Sequence, residues 1–214
     1  MKKYIFYLII LSSFLSFSQT KVFEPIAKPI ISYDIKIKNN SGVYLYKHKD
    51  GLNLLDGVYN IDIYIKNKNA GDIEIIENGL KKRTLKYDLS NSEYRRTEIK
   101  EKGKFHKGYK DGFWKTTYKN KLVKTENWNK GFIIGKYRVY DIKGNLLYQT
   151  NFGAKGNGKF KDFYYATGIL KQEGNYENGK KQDEWCEYDK EGKLTKTVIY
   201  KEGMIVKDKT HLHF

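Results

Sequence analysis

Two columns of residues recur in the second half of this chain at a fixed interval of 24 positions. Leu122, Leu146, Leu170 and Leu194 form one column, and Trp128, Phe152, Tyr176 and Tyr200 form the other. In each unit the aromatic follows the leucine by six residues. An even spacing puts both side chains on one face of an extended strand, whereas a helix would rotate them apart. A fixed period of this length marks a repeat architecture. Gly144, Gly168 and Gly192 lie two residues before their leucines, and Asn120 holds the equivalent place. These are the residue types that accept positive φ in hairpin turns. Tyr140, Tyr164 and Tyr188 add a third column, with Tyr118 two residues out of register. Each unit is therefore expected to be strand, tight turn, strand, then a second turn into the next unit.

The second turn carries the most specific pattern. Phe105 to Trp114 aligns without a gap to Tyr176 to Trp185, and Trp128 to Tyr137 repeats the form aromatic-x-x-Gly-x-x-x-Gly-x-aromatic. Asp183 replaces one glycine, and Phe152 to Phe160 is a shortened version with Gly153, Gly156 and Gly158. Glycine suits a backbone that turns sharply between two aromatics which both reach the core.

These residues resemble the MORN repeat, and more closely its bacterial variant with units such as Asn-Gly-Lys-x-x-Gly-x-Trp-x-x-Tyr. Glu177 to Tyr188 is the best match, and the resemblance covers roughly residues 99–206. It implies an all-β fold, an elongated antiparallel sheet of tandem hairpins. It also implies membrane-binding or scaffolding relatives, some labelled antitoxins of toxin–antitoxin systems. A shared fold says little about function.

The N-terminal segment points to export. Lys2 and Lys3 precede an apolar run from Tyr4 to Phe17, and Ser16 and Ser18 stand at the small-residue positions of a cleavage site. Residues 1–18 are expected to be a signal peptide cut between Ser18 and Gln19, giving a periplasmic or secreted protein. The apolar run is shorter than the roughly 20 residues of a spanning helix, so no transmembrane anchor is expected in the mature chain. Residues 19–32, with Pro25 and Pro29, read as an extended leader. Residues 33–98 alternate with period two in places and are expected to be degenerate repeats or a small β module, with the favoured role of capping one end of the sheet. Ile73–Ile76, Asn78-Gly79 and Leu80–Tyr87 read as a hairpin, and Asp88 to Arg96 as a loop. Residues 207–214 read as a frayed tail.

Composition narrows the function classes. The formal charge of +16 falls by two when a leader containing Lys2 and Lys3 is removed. Such a surface favours acidic partners, although lysine is spread along the chain rather than clustered. Lys130, Lys155, Lys180 and Lys181 flank the turns and are the candidate partner-facing residues. Cys186 is the single cysteine and reads as a small hydrophobe in a strand. His48 and His106 have no recognisable nucleophile beside them, and His211 and His213 lack a neighbouring cysteine or carboxylate at ligand spacing. Asp111 and Asp183 read as turn formers; their use as paired carboxylates in glycan hydrolysis is the weaker alternative. No catalytic residues, cofactor, metal site or nucleic-acid partner is expected. The functional expectation is an exported, non-catalytic binding or scaffold module at the cell envelope, meeting another protein or an anionic glycan or lipid surface. A structural spacer and an antitoxin-like protein are the alternatives.

Overall fold

The computed structural model describes residues 25–66, 72–77, 80–86 and 94–211, with side chains omitted for Tyr33 and 66–95. The signal peptide, Ser18 and Gln19, the turn at Asn78-Gly79, most of the 88–96 loop and His213 lie outside the described residues. The chain is all-β. Its strands are β1 (Lys28–Ile31), β2 (Ile35–Asn40), β3 (Val43–His48), β4 (Gly57–Lys66), β5 (Asp72–Glu77), β6 (Leu80–Lys86), β7 (Tyr94–His106) and β8 (Tyr109–Tyr118). They continue as β9 (Lys121–Asn129), β10 (Phe132–Tyr140), β11 (Leu146–Asn151), β12 (Gly158–Phe163), β13 (Leu170–Glu177), β14 (Lys180–Tyr188), β15 (Leu194–Lys201) and β16 (Met204–Thr210).

The array is divided into two principal sheets rather than one. A seven-stranded sheet has the order β1-β4-β7-β8-β9-β10-β11, and a five-stranded sheet runs β12 to β16 in sequence order. Neighbours pair antiparallel except β1, which lies parallel to β4. The break falls at the glycine-rich connector between β11 and β12. There the left-handed Gly153 and Gly156 carry the chain out of one sheet before pairing resumes at β12. The remaining hairpins, β2–β3 and β5–β6, form separate two-stranded sheets, and Lys47 of β3 also makes an isolated antiparallel bridge to Leu54.

Residues 33–98 contribute β4 and the first part of β7 to one end of the seven-stranded sheet. Strand β7 runs unbroken through position 99, and β4 pairs with it along most of its length. The hairpin β2–β3 leaves the sheet altogether. At the far end Lys207–Thr210 belong to β16, paired with β15, and the His211 amide donates to the Thr195 carbonyl at 2.7 Å. Lys207–Thr210 are therefore strand rather than the expected frayed tail, because backbone pairing continues past the last repeat turn.

The aromatic column faces the core as its period requires: Phe152 and Tyr200 are buried, and Trp128 and Tyr176 pack against the same cluster. The leucine column does not share that face. Leu122 and Leu146 remain 44% and 47% exposed. A one-residue bulge follows the leucine in every unit. Thr116 pairs with Lys124 but Thr117 with Leu122, and the same skip separates Tyr148 from Leu146, Gln172 from Leu170, and Lys196 from Leu194. One extra residue reverses strand parity, so an even spacing across it joins opposite faces.

A wider bulge sets the largest side chains. Between Asp111 and Lys115, strand β8 spends four residues where β7 spends two, and β10 and β14 do the same against their partners. Gly112, Gly135 and Asp183 take positive φ inside these bulges. Two residues later Trp114, Tyr137 and Trp185 turn into the interior and are essentially fully buried. The Trp114 ring lies flat against Gly103, and the Trp185 ring lies likewise against Gly174. Each indole N–H donates 3.1 Å to a backbone carbonyl, of Lys104 and Asn175 respectively. Burying one such ring contributes on the order of 2–3 kcal/mol, and its polar edge is satisfied.

Candidate functional site

Four tight turns line one end of the strands, each a pair of left-handed residues ending in glycine. They are Lys107-Gly108, Lys130-Gly131, Asn178-Gly179 and Glu202-Gly203, with φ between 47° and 87°. Two successive positive φ values match the twist of the strands they join, which is why an x-Gly pair recurs here. Backbone bonds run from turn to turn. The Gly131 amide donates to Lys110, Ile133 to the Gly179 carbonyl, and Gly203 to Lys181. The row thus crosses from the seven-stranded to the five-stranded sheet.

The β2–β3 hairpin is laid across this row. Near β7–β8, the Tyr46 amide donates to the Gly108 carbonyl at 2.7 Å, and Asn40 Nδ2 donates to Tyr109 Oη at 2.7 Å. Near β15–β16, Asn39 Nδ2 donates to the Gly203 carbonyl at 2.9 Å. Gly42, with φ 86°, abuts Glu202 and Gly203 so closely that a Cβ there would overlap the Glu202 carbonyl.

Hairpin and turns enclose an open cleft of about 480 Å³. Asn40, Ser41 and Val43 wall one side, and His106, Lys107, Tyr109, Lys130, Phe132 and Lys180 the other. An adjoining depression of about 350 Å³ shares Ser41 and Lys180 and continues to Lys201, Glu202, Met204 and Val206. Of the nearby carboxylates, Asp56 accepts the Lys107 amide at 3.0 Å and lies 3.8 Å from His106 Nδ1, and Asp111 accepts the Lys130 amide at 3.2 Å. The ammonium groups of Lys107, Lys130 and Lys180 form no ion pair among the described residues, although Lys180 Nζ lies 6.0 Å from the centre of the Phe132 ring; Lys100, Lys161 and Lys196 on the strands and Lys119 in the β8–β9 turn are paired.

Of the four lysines singled out from sequence, Lys130 and Lys180 reach this cleft. Lys155 sits exposed on the connector before β12 and does not line it. Lys181 points inward, its Nζ 3.9 Å from the centre of the Trp185 ring and 5.0 Å from that of Tyr200. Adjacent strand residues face opposite ways, so Lys180 opens onto the cleft while Lys181 lies over Trp185. Lys107, Tyr109, Asn40 and Ser41 were not singled out. Lys107 was legible as the residue before a turn glycine, whereas the other three depend on a hairpin placed by tertiary contacts.

A second cluster lies beneath, in the interior. Glu101, Lys110, Glu126, Lys124 and Asp162 alternate in sign across β7, β8, β9 and β12. The separations are 3.2 Å for Lys110–Glu101, 3.9 Å for Lys110–Glu126, 3.4 Å for Lys124–Glu126 and 3.9 Å for Lys124–Asp162. Burial opposes charge on Lys110, but Glu101 and Glu126 outweigh it and hold the ammonium above its ordinary range. Burial likewise works against Glu101, and Lys110 with Lys124 keeps its carboxyl below the usual value. Tyr165 Oη donates to Asp162 Oδ1 at 3.2 Å, closing the series. The sequence signal was parity: Lys124, Glu126 and Trp128 share the inward face of β9.

Lys181 is the counterpart of Lys110, 71 residues later, each over a tryptophan four residues on. Opposite Trp114 stands Glu126; opposite Trp185 stands Val198. Gln172 replaces Glu101 at the same offset. Burial therefore pulls the Lys181 ammonium down to about 8, offset only in part by Glu187.

The other candidates sit apart. Burial and Glu184 push the Cys186 thiol up, the opposite of activation. His211 Nε2 lies 3.0 Å from Thr197 Oγ1. Asp111 and Asp183 belong to different sheets, and Asp183 holds a left-handed bulge position. No family model matches the chain, and no curated protein matches it.

Proposed function

We propose that this chain is a non-catalytic binding module of MORN-like hairpins, exported to the cell envelope, and that it recognises an extended anionic partner along the row of turns. The observation that carries the reading is a run of three lysines opening onto one cleft beside Tyr109 and Phe132: Lys107 and Lys130 in the turns, and Lys180 at the start of β14. Among the described residues none of the three forms an ion pair. The MORN likeness rests on the residue pattern and accords with the hairpin order and recurrent bulges. Export rests on residues 1–18.

A spacer role is the second reading, and burial of the aromatic ladder favours it. Phe152–Tyr176–Trp185–Tyr200 stack edge to face at 5.1–6.1 Å between centroids, filling the face that could otherwise anchor a protein. Among the described residues Phe113 is the large aromatic left exposed, at 58%. Retention on immobilised anionic polysaccharide and anionic liposomes from 25 to 500 mM salt separates the readings. Binding module predicts at least a tenfold fall in retention with salt. Absence of retention at any salt favours the spacer.

A further inference from the structure

Resting on that reading, the cleft geometry narrows the ligand. We propose that the cleft beneath the β2–β3 turn is a subsite for an acidic sugar unit, its anion on Lys130 and Lys180 and its ring beside Phe132 and Tyr109. The volume falls within the roughly 300–1,000 Å³ typical of small-ligand clefts. Three kinds of group converge there. Lys130, in a turn of the seven-stranded sheet, and Lys180, at the start of β14 in the five-stranded sheet with its Nζ 6.0 Å from the centre of the Phe132 ring, supply positive charge without an ion pair among the described residues. Phe132 and Tyr109 supply apolar, half-buried ring surface. Asn40 spends its Nδ2 on Tyr109 Oη, and its Oδ1 and the Ser41 hydroxyl make no hydrogen bond among the described residues, which suits sugar hydroxyls.

The recessed position argues against a bilayer. Val43 is buried and the Tyr109 and Phe132 rings are half-buried, so a flat headgroup surface reaches the lysines more readily than the rings. A chain of linked sugars enters the cleft and continues toward Lys201 through the adjoining depression. Carboxylate and phosphate are the two anions such a unit can carry.

Calorimetry and aromatic NMR on the full mature chain decide it, with four probes. They are hexagalacturonate, its fully methyl-esterified neutral form, a glycosyl phosphate polymer, and phosphatidylglycerol vesicles. Expected are binding of one or both acidic glycans, at least tenfold loss on esterification, and shifts confined to the Tyr109 and Phe132 resonances. Lys130→Ala/Lys180→Ala loses at least tenfold, whereas Lys143→Ala/Lys190→Ala, in turns at the opposite strand ends, loses less than twofold. Uronate alone or phosphate alone identifies the anion. Equal losses from both double variants overturn the cleft but leave anionic binding standing, as does binding of vesicles with neither glycan. Failure to bind any probe overturns both the subsite and the proposed function. All four lysines are on turns or turn edges, and an unchanged near-ultraviolet dichroism spectrum confirms that each variant is folded.

Discussion

Lys110 and Lys181 show how neighbours rather than residue type decide what a buried charge does. Both ammonium groups lie over a tryptophan, but one has two carboxylates and the other has a valine and a glutamine in their place. Removing one partner of a buried pair leaves the other charge uncompensated, at about 3–5 kcal/mol. Lys110→Met is therefore expected to lower urea-measured stability by roughly that amount. Lys181→Met is expected to be neutral or stabilising at pH 7. The pH dependence has a definite sign. The folded-state value of about 8 lies below the ordinary lysine value of 10.5, so between them the unfolded chain holds the proton and the folded chain does not. Stability from this group rises with pH through that window, and below pH 8 that gain is absent. The gain is a few kcal/mol at most, at ~1.4 kcal/mol per unit. A wild-type rise from pH 8 to 10 that Lys181→Met abolishes is the expected result. Gly103 makes a second residue-scale test. Its φ is not left-handed, so Gly103→Ala acts through packing alone, by driving a methyl into the Trp114 ring. A loss of about 1–3 kcal/mol is expected, as for other overpacked cores. Its signal was available: Gly103 and Gly174 share the 71-residue offset of Trp114 and Trp185.

At the scale of elements, the hairpins were legible and their faces were not. Glycine and asparagine at fixed offsets marked the turns, and the structure gives Gly144, Gly168, Gly192 and Asn120 positive φ as expected. A bulge leaves no comparable mark. Val123 after Leu122 could follow a regular strand, yet it is the fully buried residue and Leu122 the exposed one. The β2–β3 hairpin raises the same difficulty. Its alternating pattern is that of any strand pair, and only contacts with Gly108, Tyr109 and Gly203 place it across the turns. A two-stranded hairpin is marginal alone. Gly42→Ala, which both strains a positive φ and strikes the Glu202 carbonyl, is expected to loosen it selectively. Hydrogen exchange should show lost protection at Ile35–His48 with β8 to β10 protected as before. Uniform loss across the strands would mean that the hairpin is integral to the sheet core.

For the whole molecule, the division into two sheets does not divide the core. Tyr137 Oη donates 2.9 Å to the Lys161 carbonyl, and Lys124 pairs with Asp162, so β9 and β10 are tied to β12 across the break. One cluster contains Val123 and Tyr137 from the first sheet with Trp185 and Val198 from the second. A single cooperative transition is therefore expected in denaturant. Trp185→Phe leaves tryptophans 114 and 128 as reporters of the first sheet, and Trp114→Phe/Trp128→Phe leaves Trp185 to report the second. Fluorescence and far-ultraviolet dichroism should give one midpoint within each variant; separated midpoints would mean that the sheets unfold independently.

The sequence by itself determined the class of fold, the positions of the turns and the aromatic column that faces the core. These follow from local rules: strand periodicity, positive φ at glycine, and the preference of large rings for burial. Tertiary structure decided which face each leucine takes, that Lys181 turns inward while Lys130 and Lys180 meet at a cleft, and that charges from four strands neutralise one another inside. Each of those depends on register between strands and on a hairpin docked from far along the chain, and a pattern of period two is the same on either face until pairing fixes it.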